Sequence, residues 1–197
     1  MSRTAVVTGA ASGIGAATVA RLKAAGQRVI GVDLRNADVN ADLGTAAGRA
    51  AMVAEVTSLA PDGIDAVLAG AGISHIDMPR ETVAINYFGA VATLEGLRPL
   101  LAKSSRPRAV AIVSTASFLP SNRTVVDACL ANDEAAALDA MAAEPASSYS
   151  TSKCALALWL RKAAVRPDWA GAGILLNGIG PGVVATPMTA PLLEQPE

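Results

Sequence analysis

An apolar run at residues 4–8 leads directly into Thr8-Gly9-Ala10-Ala11-Ser12-Gly13-Ile14-Gly15, and a helix-forming stretch follows. Gly9, Gly13 and Gly15 let the backbone turn tightly and come close to a ligand with no side chain in the way. A helix opening at that point offers unpaired N–H groups and the positive end of its dipole, which suits a pyrophosphate. The spacing is G-x-x-x-G-x-G, and taken alone it also fits a plain glycine-rich turn.

The rest of the chain repeats this strand-then-helix rhythm. Strands are predicted at residues 4–8, 28–32 (ending at Asp33), 64–69, 109–113 and 173–177. Helices are predicted at 14–25, closed by Gly26, and at 45–59, 79–101 and from Tyr149 through Trp159. Short apolar strands alternating with Ala-rich helices imply an α/β fold, a parallel sheet covered on both faces. Residues 121–147 interrupt the rhythm. They hold a helical segment at about residues 125–143, bounded by Pro120 and Pro145, and read as an insertion packed onto a single domain spanning 1–197.

Composition narrows the function classes. The chain is 52% hydrophobic and 17% charged, yet charged residues, Gly or Pro break every run long enough to cross a membrane. No signal peptide is evident at the N-terminus, so the expectation is a soluble, cytoplasmic protein. A net charge of −1 argues against nucleic acid as a partner. Cys129 and Cys154 suit a reducing compartment and read as small core fillers. His75 is the only histidine, which excludes a His-rich metal site; it reads as a surface or hinge residue, and no metal is expected.

Asp33 ends the second strand, 18 residues after Gly15. A carboxylate there can accept hydrogen bonds from adenosine ribose hydroxyls and would repel the extra phosphate of NADP, so NAD is the expected cofactor. Arg35 is the counter-argument, since a cation could receive that phosphate; a solvated surface arginine is the plainer account.

Tyr149 and Lys153 are four residues apart, on one face of a helix. A free tyrosine titrates near ~10, and an adjacent ammonium favours the phenolate. Such a pair can move a proton to or from a hydroxyl or carbonyl oxygen. Ser114 follows a strand at the carboxyl edge, where open α/β sheets place their sites, and either hydrogen-bonds a substrate oxygen or caps the strand end. Asn86 lies inside a predicted helix, an unfavourable place for an amide. It is either a helix-surface residue or part of a proton relay behind Lys153.

In this order, Thr8-Gly9-x-x-x-Gly13-Ile14-Gly15, Asp33, Asn86, Ser114, Tyr149-x-x-x-Lys153 and Asn177-x-x-x-Pro181-Gly182-x-x-x-Thr186 resemble the short-chain dehydrogenase/reductase family over nearly the whole chain. The resemblance implies a three-layer, doubly wound Rossmann fold and hydride transfer between nicotinamide and a secondary alcohol or ketone. It implies Tyr149 as acid/base, Lys153 holding the nicotinamide ribose and tuning Tyr149, Ser114 positioning the substrate oxygen, and Asn86 holding a water that links Lys153 to solvent. Cofactor contacts are expected from Gly9, Ser12, Gly13, Ile14, Gly15, Asp33 and Leu34. Asp42 and Leu43 would flank the adenine. Gly70, Ala71, Gly72, Tyr149, Lys153, Pro181, Gly182, Val184 and Thr186 complete the set, with Pro181, Gly182 and Thr186 at the nicotinamide end.

A narrower resemblance, to the bacterial 3α-hydroxysteroid dehydrogenase/carbonyl reductases, rests on residues 31–35, 41–45 and 86–90 and on the 35 positions between Ser114 and Tyr149. It implies a small hydrophobic alcohol or ketone as substrate, a 3α-hydroxysteroid among the candidates. The chain departs from the family pattern in three places. Ala69-Gly70-Ala71-Gly72 lacks the asparagines that usually brace the central strands. Thr115 follows Ser114 where a small apolar residue is usual, so either hydroxyl could face the substrate. The family continues about fifty residues further, so a substrate-covering part is expected to be absent from this chain. A homo-oligomer is expected, with the insertion favouring a dimer over a tetramer. The alternatives are an NADP-linked carbonyl reductase and a non-catalytic dinucleotide-sensing module.

Overall fold

Among the described residues, six strands pair side by side, all parallel, in the order β3-β2-β1-β4-β5-β6. They are β1 Thr4–Thr8, β2 Arg28–Asp33, β3 Val39–Asn40, β4 Ala66–Ala69, β5 Arg108–Ile112 and β6 Leu175–Ile179. The computed structural model describes residues 3–193. Val6 sits level with Ile30 on one side and Val67 on the other, and all three are buried. Apolar side chains on both faces suit strands covered from both sides.

The helices are α1 Gly13–Ala24, α2 Ala46–Leu59, α3 Pro79–Val83, α4 Ala90–Leu101, α5 Arg123–Leu130, α6 Glu134–Ala142 and α7 Ser148–Ala163, with α8 Ala190–Leu193 after β6. From β1 the chain steps outward to β2 and β3, then returns across β1 to β4 and continues to β6. Right-handed crossovers in opposite directions put α1 on one face and α2, α4 and α7 on the other, giving three layers. Met52 and Val56 of α2, Leu94, Leu97 and Leu101 of α4, and Leu156 and Leu160 of α7 fill the core on that second face. The reversal of direction between β1 and β4 opens a crevice at their carboxyl ends, the switch point where such sheets bind ligands.

Four local features differ from the sequence reading. The long helix predicted at 79–101 contains a π-helical turn, Ala84–Gly89, centred near Asn86. The helical segment predicted at 125–143 is two helices: Asn132 takes a left-handed backbone (φ 59°), and the Asp133 carboxylate accepts from Ala136 N–H at 3.0 Å to start α6. The last strand begins at Leu175 rather than Gly173, because Gly173 (φ 74°) belongs to a turn closed by Ile174 N–H donating to the Trp169 carbonyl at 2.9 Å. The two-residue β3 was not anticipated; two residues are too few to show a period.

Candidate active site

The crevice holds a cavity of about 340 Å³ floored by the first turn. Gly9 adopts φ 75°, and a Cβ on it would stand 3.0 Å from the Ala71 backbone. A Cβ on Gly15 would run into the Gly9 carbonyl oxygen. The turn is thus folded too tightly for side chains at either position. Helix α1 opens with no side-chain cap from Ser12, and its first turn carries no acidic residue. In α2, α5 and α6, by contrast, Thr45, Asn122 and Asp133 each accept a backbone N–H. The uncapped N–H groups of α1, at Gly13, Ile14 and Gly15, border the cavity, and such a terminus attracts an anion.

Asp33 is pinned where β2 ends. Its Oδ2 accepts from Ala11 N–H at 2.9 Å and its Oδ1 from Leu34 N–H at 2.7 Å. Both bonds orient the carboxylate beside the glycine turn, within the cavity wall. Arg35 is exposed and is not among the residues of that wall. Asp42 and Leu43 line the same end. Opposite β1, Gly70 and Ala71 donate to the Thr8 hydroxyl at 3.0 and 3.2 Å. A threonine from β1 therefore supplies the brace that the missing asparagines would have given.

Tyr149, Lys153 and Ser114 meet at the other end of the cavity. The Lys153 ammonium stands 5.7 Å from the Tyr149 ring centroid and donates to the Ile112 carbonyl at 2.8 Å. Lys153 is only 4% exposed, and burial lowers its pKa from 10.5 to about 8. Ser114 borders the cavity, accepting from Ala116 N–H at 3.1 Å, whereas Thr115 is exposed and outside the wall. The strand-end cap and the cavity hydroxyl are thus one residue. Thr115 N–H donates to the Pro181 carbonyl at 2.9 Å, tying this corner to Pro181, Gly182, Val184 and Thr186.

Asn86 is fully buried and does not line the cavity. Its Oδ1 accepts from Ile73 N–H at 2.8 Å, and its Nδ2 donates to the Ile73 carbonyl at 2.9 Å and to Ser152 Oγ at 3.1 Å. The helix-surface account is therefore excluded. The amide bonds protein partners, clamping the loop after β4 against α7 next to Lys153. Sequence reasoning also missed Ala41, Ile73, Ile85, Ile112, Val113, Pro187, Met188 and Thr189 in the wall. Thr189 is the informative omission: its hydroxyl bonds both Val184 and Thr186 and shapes the loop over the cavity. Nothing but its closeness to Thr186 could have marked it.

His75 is exposed, Cys129 is buried and Cys154 is half-buried. Among the described residues no cluster of His, Cys, Asp or Glu could hold a metal ion, and no helix is long and apolar enough to cross a membrane.

Residues 5–191 match the model of the NAD dependent epimerase/dehydratase family. The chain is 36% identical to the 3-alpha-hydroxysteroid dehydrogenase/carbonyl reductase of Comamonas testosteroni, over 97% of this chain and 76% of that protein. It is 33% identical to the cis-4-hydroxycyclohexanecarboxylate dehydrogenase of Sinomonas cyclohexanicum, over 96% of this chain and 76% of the other. Among solved structures it resembles the 3-alpha-hydroxysteroid dehydrogenase of Pseudomonas sp. B-0831, complexed with NADH, with a TM-score of 0.92 and 37% identity. That match covers 98% of this chain and 77% of the other.

Proposed function

The chain belongs to the short-chain dehydrogenase/reductase family, enzymes acting on CH–OH groups, and from that premise we propose an NAD-dependent interconversion of a secondary alcohol and a ketone with Tyr149 as acid/base. The observation that carries the proposal is the convergence of Tyr149, Lys153 and Ser114 on the cavity that the glycine turn and Asp33 enclose.

The cavity fits a dinucleotide. The side-chain-free turn at Gly9 and Gly15 and the uncapped start of α1 suit a pyrophosphate, and the pinned Asp33 carboxylate suits a ribose bearing free hydroxyls. When bound, NAD accepts or gives back the hydride. The residues that would hold it are Gly9, Ser12, Gly13, Ile14, Gly15, Asp33, Leu34, Asp42, Leu43, Gly70, Ala71 and Gly72. Lys153, Pro181, Gly182, Val184 and Thr186 would hold the nicotinamide end.

The chain's own residues handle the proton. Tyr149 takes it from the alcohol oxygen in oxidation and returns it to the carbonyl oxygen in reduction. Ser114 hydrogen-bonds the same oxygen and keeps it facing Tyr149. Lys153, charged below about pH 8, sets a cation 5.7 Å from the Tyr149 ring centroid. The clamp from Asn86 to Ile73 and Ser152 holds the wall behind Lys153. The substrate is a hydrophobic alcohol or ketone, a 3α-hydroxysteroid being the first to try, as the names of the relatives suggest.

The working assembly is a homodimer built on a single-domain subunit. In its support, α5 and α6 pack against α7 and α3, covering part of the face that would otherwise be free for a second contact. Light scattering that gives a tetramer would contradict this. The catalytic proposal is tested by following NADH formation over a panel of secondary alcohols that includes a 3α-hydroxysteroid, with NADP run in parallel. Turnover with NAD supports it; turnover only with NADP would reverse the cofactor assignment.

A further inference from the structure

Arg49 of α2 is a buried cation that the proton chemistry does not use; its side chain is 9% exposed. Its Nη1 donates to the Leu43 carbonyl at 3.2 Å, and its Nη2 bonds Glu134 Oε2 at 2.5 Å. These partners belong to different parts of the molecule. Leu43 forms the cavity wall next to Asp42, whereas Glu134 is the first residue of α6 in the insertion. The two parts meet across a groove of about 500 Å³, lined by Arg49, Glu134, Tyr87 and Trp159 among others. The ion pair is thus a specific link beside a gap.

The stretch that Arg49 holds has little freedom of its own. The Asp42 carboxylate accepts from Gly44 N–H at 2.9 Å, and a Cβ on Gly48 would run into the Asp42 carbonyl. On the far side, a Cβ on Gly89 would stand 3.1 Å from both the carbonyl oxygen and the Cβ of Leu43. The Leu43 carbonyl is therefore held between the π-helical turn and the Arg49 fork. A guanidinium presents its donors in a fixed plane, so whatever orients one edge orients the other. Glu134 orients one edge; Leu43 is held by the other. Removing Glu134 would leave a buried guanidinium with an unbalanced charge, and the fork would turn toward water.

We infer that Arg49 is a positioning residue through which the helical insertion sets the affinity of the adenosine end of the cofactor site. The inference rests on the reading above that Asp42 and Leu43 border the adenosine end of a bound dinucleotide.

The test titrates the full chain with NADH and with ADP-ribose, using the wild type, Arg49→Met, Arg49→Lys and Glu134→Gln, and measures steady-state turnover for each. Losing a charge-assisted bond should weaken both ligands about tenfold in Arg49→Met and Glu134→Gln, with turnover at saturating cofactor within about threefold of wild type. Arg49→Lys, which keeps one donor and the charge, should recover part of the affinity. Wild-type affinity for ADP-ribose in Glu134→Gln overturns the inference, as does a loss of turnover as large as the loss of affinity. If Arg49→Met does not fold, Glu134→Gln decides, because its side chain is 30% exposed and the substitution is isosteric. A wild type that binds ADP-ribose but not NADH defeats the reading of the nicotinamide end and leaves this inference standing. A wild type that binds neither overturns both.

Discussion

The Lys153 ammonium lies 5.7 Å from the Tyr149 ring centroid while donating at 2.8 Å to the Ile112 carbonyl. One end of β5 therefore fixes the cation, and one turn of α7 fixes its distance from the phenol. The cost of burying that charge appears as the pKa of Lys153, brought down to about 8.

That shift has a sign that can be measured in the protein without cofactor. Between about pH 8 and the ordinary 10.5, the unfolded chain holds a proton on Lys153 that the folded chain has released. Stability from this group therefore rises with pH across that window and is flat below it. Urea unfolding of wild type and Lys153→Met should show the wild type gaining on the variant between pH 8 and 10.5. A constant difference would contradict the assignment.

Asp33 should decide the cofactor. With Asp33→Ser, the repulsion aimed at a ribose phosphate disappears, and the ratio of NADPH to NADH affinity should rise by about tenfold or more. Competitive titration measures it; an unchanged ratio would remove Asp33 from that role.

Thr8→Val keeps shape and removes the acceptor for Gly70 and Ala71 N–H. Leaving such donors unpaired should lower stability by about 1–3 kcal/mol and weaken NADH binding, since the same turn faces the cavity. Denaturant unfolding together with NADH titration reads both.

Asn86→Ala deletes the three hydrogen bonds of a buried amide at once. A loss of about 2–4 kcal/mol is expected from the stranded Ile73 and Ser152 groups, with slower turnover because the wall behind Lys153 is released. A variant as stable as wild type would show that the clamp is idle.

The parts of the site legible in sequence were those whose chemistry sits at strand ends. Gly9, Gly15 and Asp33 announce themselves by residue type and by place in the βαβ rhythm, and Tyr149 and Lys153 by one helical turn. Asn86 was visible as an oddity, but its partners were not: Ile73 and Ser152 reach it only through the tertiary fold. Thr8 was visible as the strand residue that opens the glycine motif, but its partners were not, because its bonds go to a neighbouring strand end 62 residues away. The split insertion could have been read from Asn132-Asp133-Glu134, a left-handed residue followed by an N-cap. The π-helical turn has no such local mark.

The most direct measurement compares NADH formation by wild type and Tyr149→Phe with a secondary alcohol that the wild type turns over. The variant should bind NADH within about threefold of wild type yet turn over 10²–10⁴-fold more slowly, roughly the range for losing a positioned acid/base. Turnover within about tenfold of wild type would contradict the assignment of Tyr149 and return the proton chemistry to another group in the cavity.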